Sequence, residues 1–146
     1  METTLRQSVH EGLVPIIPAL QTKTIGWLQR KYPTVNFDNV DMIFSAGFGG
    51  SKYYRNDGGY NPKYGNPVAQ ISTRATLYLY DMKRLKLKKT KRQVGYSAQT
   101  ECAIVHELTH HVQYEMGLPT GESLTTGNEL EYLKEFYPEH YVKLVK

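Results

Sequence analysis

The chain lacks most of the features that would announce its class. It has one cysteine, Cys102, in 146 residues. That excludes an intrachain disulfide and, with it, the disulfide-stapled scaffolds. No apolar run approaches the ~18 residues of a membrane span. The longest candidate, Leu13 to Leu20, is broken by Pro15 and Pro18. Met1 to Gly12 is polar and carries both charge signs, so no basic segment followed by an apolar core marks a secretory leader. A cytoplasmic, non-membrane protein is the expectation. No internal repeat and no domain boundary stand out, so one domain over residues 1–146 is expected. A chain of this size can bury roughly 68–70% of its unfolded surface without a staple.

What is present is unevenly spread. The net charge is +4 and the pI about 9.1. The excess is concentrated between Lys83 and Arg92, where seven of ten residues are basic. Such a run can attract phosphates, and so an acidic or nucleic-acid partner through residues 83–92. It reads equally as a solvated loop or as an edge strand protected by lysine, and that plainer reading is preferred because base recognition needs more than charge. Residues 47–66 are rich in Gly, Asn and Tyr, and Asn56-Asp57-Gly58-Gly59 is a turn signal. Tyr53, Tyr54, Tyr60 and Tyr64 could contact a ligand, but packing to hold a long loop is the simpler role.

The periodicity predicts a helix over 20–32, with Ile25, Leu28 and Trp27 on an apolar side and Pro33 as its stop. Val40 to Phe44 reads as a short strand. Val68 to Asp81 contains the strongest strand signal, Thr76 to Tyr80. Ser97 to Gly117 is predicted as the clearest helix, capped by Ser97 and ended by Gly117. Ala98, Cys102, Val105, Leu108, Val112 and Met116 form its core stripe. A further helix is predicted from near Asn128 to Phe136 or Tyr137, with Pro138 as its stop.

The long helix carries His106-Glu107-Leu108-Thr109-His110, an H-E-x-x-H motif. Four residues make about one helical turn, so both imidazoles leave the same face and can close on one metal ion. Glu107 can then reach a water held by the ion and act as general base. A catalytic zinc takes three protein ligands and leaves one position for water. Among the downstream acids, Glu115 is five residues past His110 and faces elsewhere. Glu122 lies in a Gly/Thr stretch and needs a tight return. Glu129 shares a helical face with Leu133 and Phe136, and an inward carboxylate needs a partner. The expected metal ligands are therefore His106, His110 and Glu129, with Glu131 as the alternative third ligand.

His106-Glu107-Leu108-Thr109-His110 followed by Asn128-Glu129 resembles the gluzincin branch of the zincin metallopeptidases. The resemblance covers about residues 97–137. It implies a zincin-like α+β fold: an N-terminal helix, a small mixed sheet, an active-site helix and a glutamate-bearing helix. It implies zinc, and cleavage of a peptide or protein substrate by activated water, with Glu107 as the catalytic base. A substrate peptide would lie extended along a sheet edge, a role open to the Thr76–Tyr80 strand. Many gluzincins place an aspartate four residues after the ligand glutamate to orient a histidine; here that position is Leu133. With Glu131 as ligand, Glu135 would fill it. No His-x-x-Gly-x-x-His continuation is present, so the metzincin pattern does not fit.

His140, Tyr137 and Tyr141 are candidates for oxyanion donors, although structural roles are the simpler expectation for each. His111, about 100° further round the helix than His110, cannot share the metal and is assigned a supporting or surface role. Cys102 is expected in the core. Two other classes fit the same motif: a nucleic-acid-associated, SprT-like protease recruited by the basic run, though such proteases use a third histidine, and a non-catalytic zincin-fold binding module.

Overall fold

The computed structural model describes residues 1–9, 11–46, 58–62, 66–73 and 85–145, with side chains left aside at 85–97, 140 and 143–145. The order of elements is β1 (Thr3–Leu5), a 3-10 turn (Val14–Ile16), α1 (Ile17–Lys31), β2 (Asp41–Ser45), β3 (Gly58–Asn61), β4 (Val68–Ser72), α2 (Leu85–Met116), α3 (Glu122–Phe136) and α4 (Pro138–Val145). The class is α+β with a small mixed sheet.

The sheet order is β1-β2-β4-β3. β1, β2 and β4 run parallel, and β3 closes one edge antiparallel to β4, with Tyr60 opposite Ala69. Side chains alternate across a strand. Met42 and Phe44 of β2 and Ala69 and Ile71 of β4 are fully buried on one face. They join Leu28 of α1, Ile104, Leu108 and Val112 of α2, and Tyr132 and Leu133 of α3 in one apolar cluster.

α1 starts three residues before the predicted position, because Pro18 in the first turn costs the helix no hydrogen bond. Its buried residues, Ile17, Leu20, Thr24, Trp27 and Leu28, follow the helical period. The strand predicted at 40–44 is β2, displaced by one residue. Only the first part of the predicted Val68–Asp81 strand region is described, as β4. Its strongest segment, Thr76 to Tyr80, and the loop tyrosines Tyr53, Tyr54 and Tyr64 lie outside the described residues. β3 was not legible: Gly58-Gly59 reads as a turn, and it is strand because β4 supplies the ladder partner.

The basic run requires a correction. From Leu85 onward the backbone is helical and continuous with α2, so that part is neither loop nor edge strand. Ser97 lies inside the helix and is not its cap. Lys, Leu, Arg and Gln are good helix formers, and no proline occurs between Leu85 and Met116. Among the described residues no helix is long and apolar enough to cross a membrane.

α2 ends as predicted, at Gly117, whose φ is 65°. The Leu118 amide donates to the Gln113 carbonyl at 2.8 Å and the Gly117 amide to that of Tyr114 at 3.4 Å. The first bond and the left-handed glycine define a Schellman stop. The following residues turn the chain at once, and α3 begins at Glu122, six residues before the predicted start. α3 runs back antiparallel to α2. Asn128 Nδ2 donates to Thr109 Oγ1 at 3.1 Å, and Tyr132 Oη to Glu101 at 2.5 Å, so later residues of α3 meet earlier ones of α2. Pro138 stops α3 as predicted and also opens α4, since proline is accepted in a first turn.

Candidate metal centre

His106, Glu107 and His110 lie in the C-terminal third of α2 and offer ligand atoms within 4.8 Å of one another. The two imidazoles stand edge to face with centroids 5.1 Å apart. Their neighbours decide which nitrogen each presents.

Gln113 is almost fully buried, and its amide bridges two elements. Its Nε2 donates to the Gly121 carbonyl at 2.9 Å, and its Oε1 lies 2.7 Å from His110 Nδ1. A carbonyl only accepts, so the amide orientation is forced. His110 Nδ1 must then carry the proton, which leaves its Nε2 as the electron-pair donor. His106 is fixed in the same sense. Its Nδ1 faces Glu129 Oε1 at 2.8 Å, and an ionised carboxylate only accepts.

Both Nε2 atoms meet one carboxylate. Glu122, on the first turn of α3, places Oε2 at 3.0 Å from His106 Nε2 and Oε1 at 3.4 Å from His110 Nε2. Thr125 Oγ1 donates to Glu122 Oε2 at 2.9 Å and steadies it. Two imidazole nitrogens and a carboxylate thus direct electron pairs into one space. A metal ion held between them would satisfy all three.

Glu107 is the buried acid beside this group. Its Oε1 is 3.7 Å from His106 Nε2. Its Oε2 is buried and has no hydrogen-bond partner among the described residues. Burial, with Glu129 and Glu122 nearby, pushes its carboxyl up to about 7 against the pull of His106. Burial opposes charge on His106, but the hydrogen bond and charge of Glu129, joined by Glu107 and Glu122, raise it to about 9. Glu129 is itself raised by burial, with His106 pulling the other way.

The expected ligand set is only partly brought together. His106 and His110 converge. Glu129 is inward, as its helical phase predicts, and nearly fully buried. It stands behind the His106 ring, at Nδ1, and not among the groups that converge at the two Nε2 atoms. Glu131, the alternative, is exposed and paired with Lys31, away from both histidines. Glu122 was passed over because it needs a tight return, which the Schellman stop supplies. Gln113, three residues after His110 on the same helix, was legible in principle as an i, i+3 neighbour.

The other candidates have plain roles. Leu133 is fully buried in the core. Tyr137 Oη donates to Glu101. Tyr141 packs against the core beneath Lys134, and the His140 side chain lies outside the described set. Cys102 is buried, and burial beside Glu129 and Glu101 pushes its thiol well up. His111 is fully buried. Its Nε2 donates to the Asn36 carbonyl at 2.7 Å, so its Nδ1 accepts from Tyr60 Oη at 2.7 Å.

Comparison with known proteins adds no relative: no protein-family model, no curated protein and no solved structure matches the chain.

Proposed function

We propose that this protein is a zinc-dependent metallopeptidase of gluzincin-like organisation, with His106, His110 and Glu122 as metal ligands and Glu107 as the catalytic base. One observation carries the reading: both Nε2 atoms of the H-E-x-x-H histidines face a single carboxylate from the returning helix, at 3.0 and 3.4 Å. Two imidazoles and one carboxylate are the donor set of a catalytic zinc site with a place left for water. Glu129 and Gln113 hold the two Nδ1 atoms, as supporting groups do around such sites. The α+β frame supports a zincin-like fold: a helix bearing the motif packs on a small mixed sheet with an antiparallel edge strand.

Zinc, when bound, supplies a Lewis acid for the scissile carbonyl and lowers the pKa of water towards ~7. The remaining work falls to the chain. Glu107, raised to about 7, is matched to take a proton from water and return it to the leaving amine. Its burial keeps bulk water from competing for that proton. Glu129 keeps the His106 lone pair on Nε2, and Gln113 does the same for His110. β3 is one of the two sheet edges among the described residues, and its Tyr60 touches α2 through His111.

The test is metal content together with hydrolysis of a mixed peptide library. The wild type binds one zinc and cleaves. Glu107→Ala keeps the zinc and loses about 10²–10⁴-fold in rate. Unchanged cleavage by Glu107→Ala would remove Glu107 from the mechanism. A zinc-loaded wild type that is inert towards the library would favour a binding module with this fold.

A further inference from the structure

β1 forms the sheet edge opposite β3, and among the described residues it is paired on one side alone. In its parallel ladder the Met42 amide donates to the Glu2 carbonyl at 2.8 Å, and the Arg6 amide donates to the Phe44 carbonyl at 2.9 Å. Backbone groups of successive residues alternate sides along a strand, so Glu2, Thr4 and Arg6 are engaged with β2. The amides and carbonyls of Thr3 and Leu5 face the other way. None of the described residues bonds to them. Thr3, Thr4 and Leu5 are all exposed.

Edge strands are commonly blunted by lysine, proline or a bulge. β1 has none of these. Leu5 is apolar and 39% exposed, although its β2 neighbour Phe44 is fully buried. An unguarded edge of this kind is a template for another strand.

The flanking residues say which strand fits. The sequence reads Glu2-Thr3-Thr4-Leu5-Arg6, with opposite charges equally far from Thr4. Two copies related by a two-fold axis at Thr4 run antiparallel. Thr3 then faces Leu5 of the second copy as a hydrogen-bonded pair, which uses the outward groups of both. Thr4 faces Thr4, and Glu2 faces Arg6, as the closer pairs between those bonds. β-branched pairs and opposite charges in these positions favour the register. A shift of two residues is the smallest that keeps the outward groups facing each other. It sets Thr4 against a charged residue and no longer opposes Glu2 to Arg6.

We propose that β1 is a self-pairing edge through which two copies of this chain join, antiparallel, so that their four-stranded sheets become one. Three residues a side make a small interface, so the association is weak and depends on concentration. It holds whether or not the metal centre cleaves peptides.

Sedimentation equilibrium of the full chain between about 1 and 500 µM tests the pairing. The wild type should move from 16.8 kDa towards twice that mass. Leu5→Pro removes an amide that β2 does not use, and proline is accepted on an edge strand. It should keep the wild-type circular dichroism and stay monomeric throughout. Glu2→Arg and Arg6→Glu each set like charges opposite one another and should weaken the dimer by about 3–10-fold. Glu2→Arg combined with Arg6→Glu restores opposite charges and should recover the wild-type constant. A monomeric wild type overturns the self-pairing, as does a dimer that survives in folded Leu5→Pro. Should Leu5→Pro fail to fold, the charge swaps decide, and single swaps that the double swap does not rescue overturn the register.

Discussion

Glu129 meets Nδ1 of His106 at 2.8 Å from a position almost sealed from solvent. That contact sets the ring orientation, raises the basicity of the imidazole and aims Nε2 at Glu122. Glu129 and Glu122 both belong to α3 and both touch the same ring, from opposite sides. Their removal should therefore fail in different ways. Glu122→Gln removes a proposed ligand and should abolish stoichiometric zinc at micromolar metal. Glu129→Gln keeps an acceptor on Nδ1 and should weaken zinc by about 10–100-fold, the usual cost of losing such a supporting group. Glu131→Gln should change nothing. Competition with a chromophoric chelator measures all three, and Glu129→Gln losing more zinc than Glu122→Gln would reverse the two roles.

The same contact predicts how zinc uptake depends on pH. His106 is raised to about 9 from 6.5, so at neutral pH the imidazole holds a proton that zinc must displace. Apparent zinc affinity should rise by about tenfold per pH unit from pH 7 and level near pH 9. Protein stripped by a chelator should show the opposite trend in stability. A folded-state pKa raised above the unfolded one stabilises fully below about 6.5, and the benefit is lost as pH rises through about 9. Glu107, raised to about 7 from 4.5, adds to the fall, because above pH 4.5 its ionisation favours the unfolded chain. Calorimetric titration in buffers of different ionisation enthalpy reads the proton release. A zinc affinity that is flat between pH 7 and 9 would contradict the assignment.

Gln113 ties His110 to the carbonyl immediately before Glu122, and so couples a histidine to the placement of a carboxylate. Gln113→Leu should lower zinc affinity by about 10–100-fold while leaving α2 intact by circular dichroism. Gln113→Glu should recover part of the affinity, because a carboxylate accepts from Nδ1 even though it cannot donate to Gly121. Equal losses in both variants would reduce Gln113 to a packing residue.

The motif was legible because its chemistry lies within one helix, where spacing alone fixes which side chains share a face. The inward phase of Glu129 was legible for the same reason. The role of Glu129 was not, since phase says that a carboxylate points inward but not which nitrogen of His106 it will meet. That depends on where α3 starts, and the start depends on a φ of 65° at Gly117 and a five-residue return to Glu122. β3 shows the limit from the other side. Gly58-Gly59 carries no strand preference, and its pairing is imposed by β4, ten or more residues further along the chain. Lys83–Arg92 misled because charge density was read as solvation, when lysine, leucine and arginine are also good helix formers.

Glu101 is fully buried on α2 and gathers α1, α3 and Tyr137, the cap of α3, around it. Lys23 Nζ lies 2.6 Å from its Oε1, Tyr132 Oη donates to the same oxygen at 2.5 Å, and Tyr137 Oη donates to Oε2. Lys23 also sits over the rings of Phe136 and Tyr137, at 4.5 and 4.9 Å. Burial alone would lower the Lys23 ammonium, but Glu101 outweighs it and holds the pKa above the ordinary value. Three helices therefore depend on one carboxylate. Glu101→Ala strands the Lys23 charge and two hydroxyls and should cost roughly 3–5 kcal/mol. Tyr132→Phe removes one donor and should cost about 1–3 kcal/mol. Because the cluster holds α3 against α2, Glu101→Ala should also weaken zinc binding through Glu122, whereas Tyr132→Phe should leave zinc affinity unchanged. Urea unfolding with and without zinc separates the two effects, and a Glu101→Ala protein as stable as wild type would show that the network is only a surface for packing.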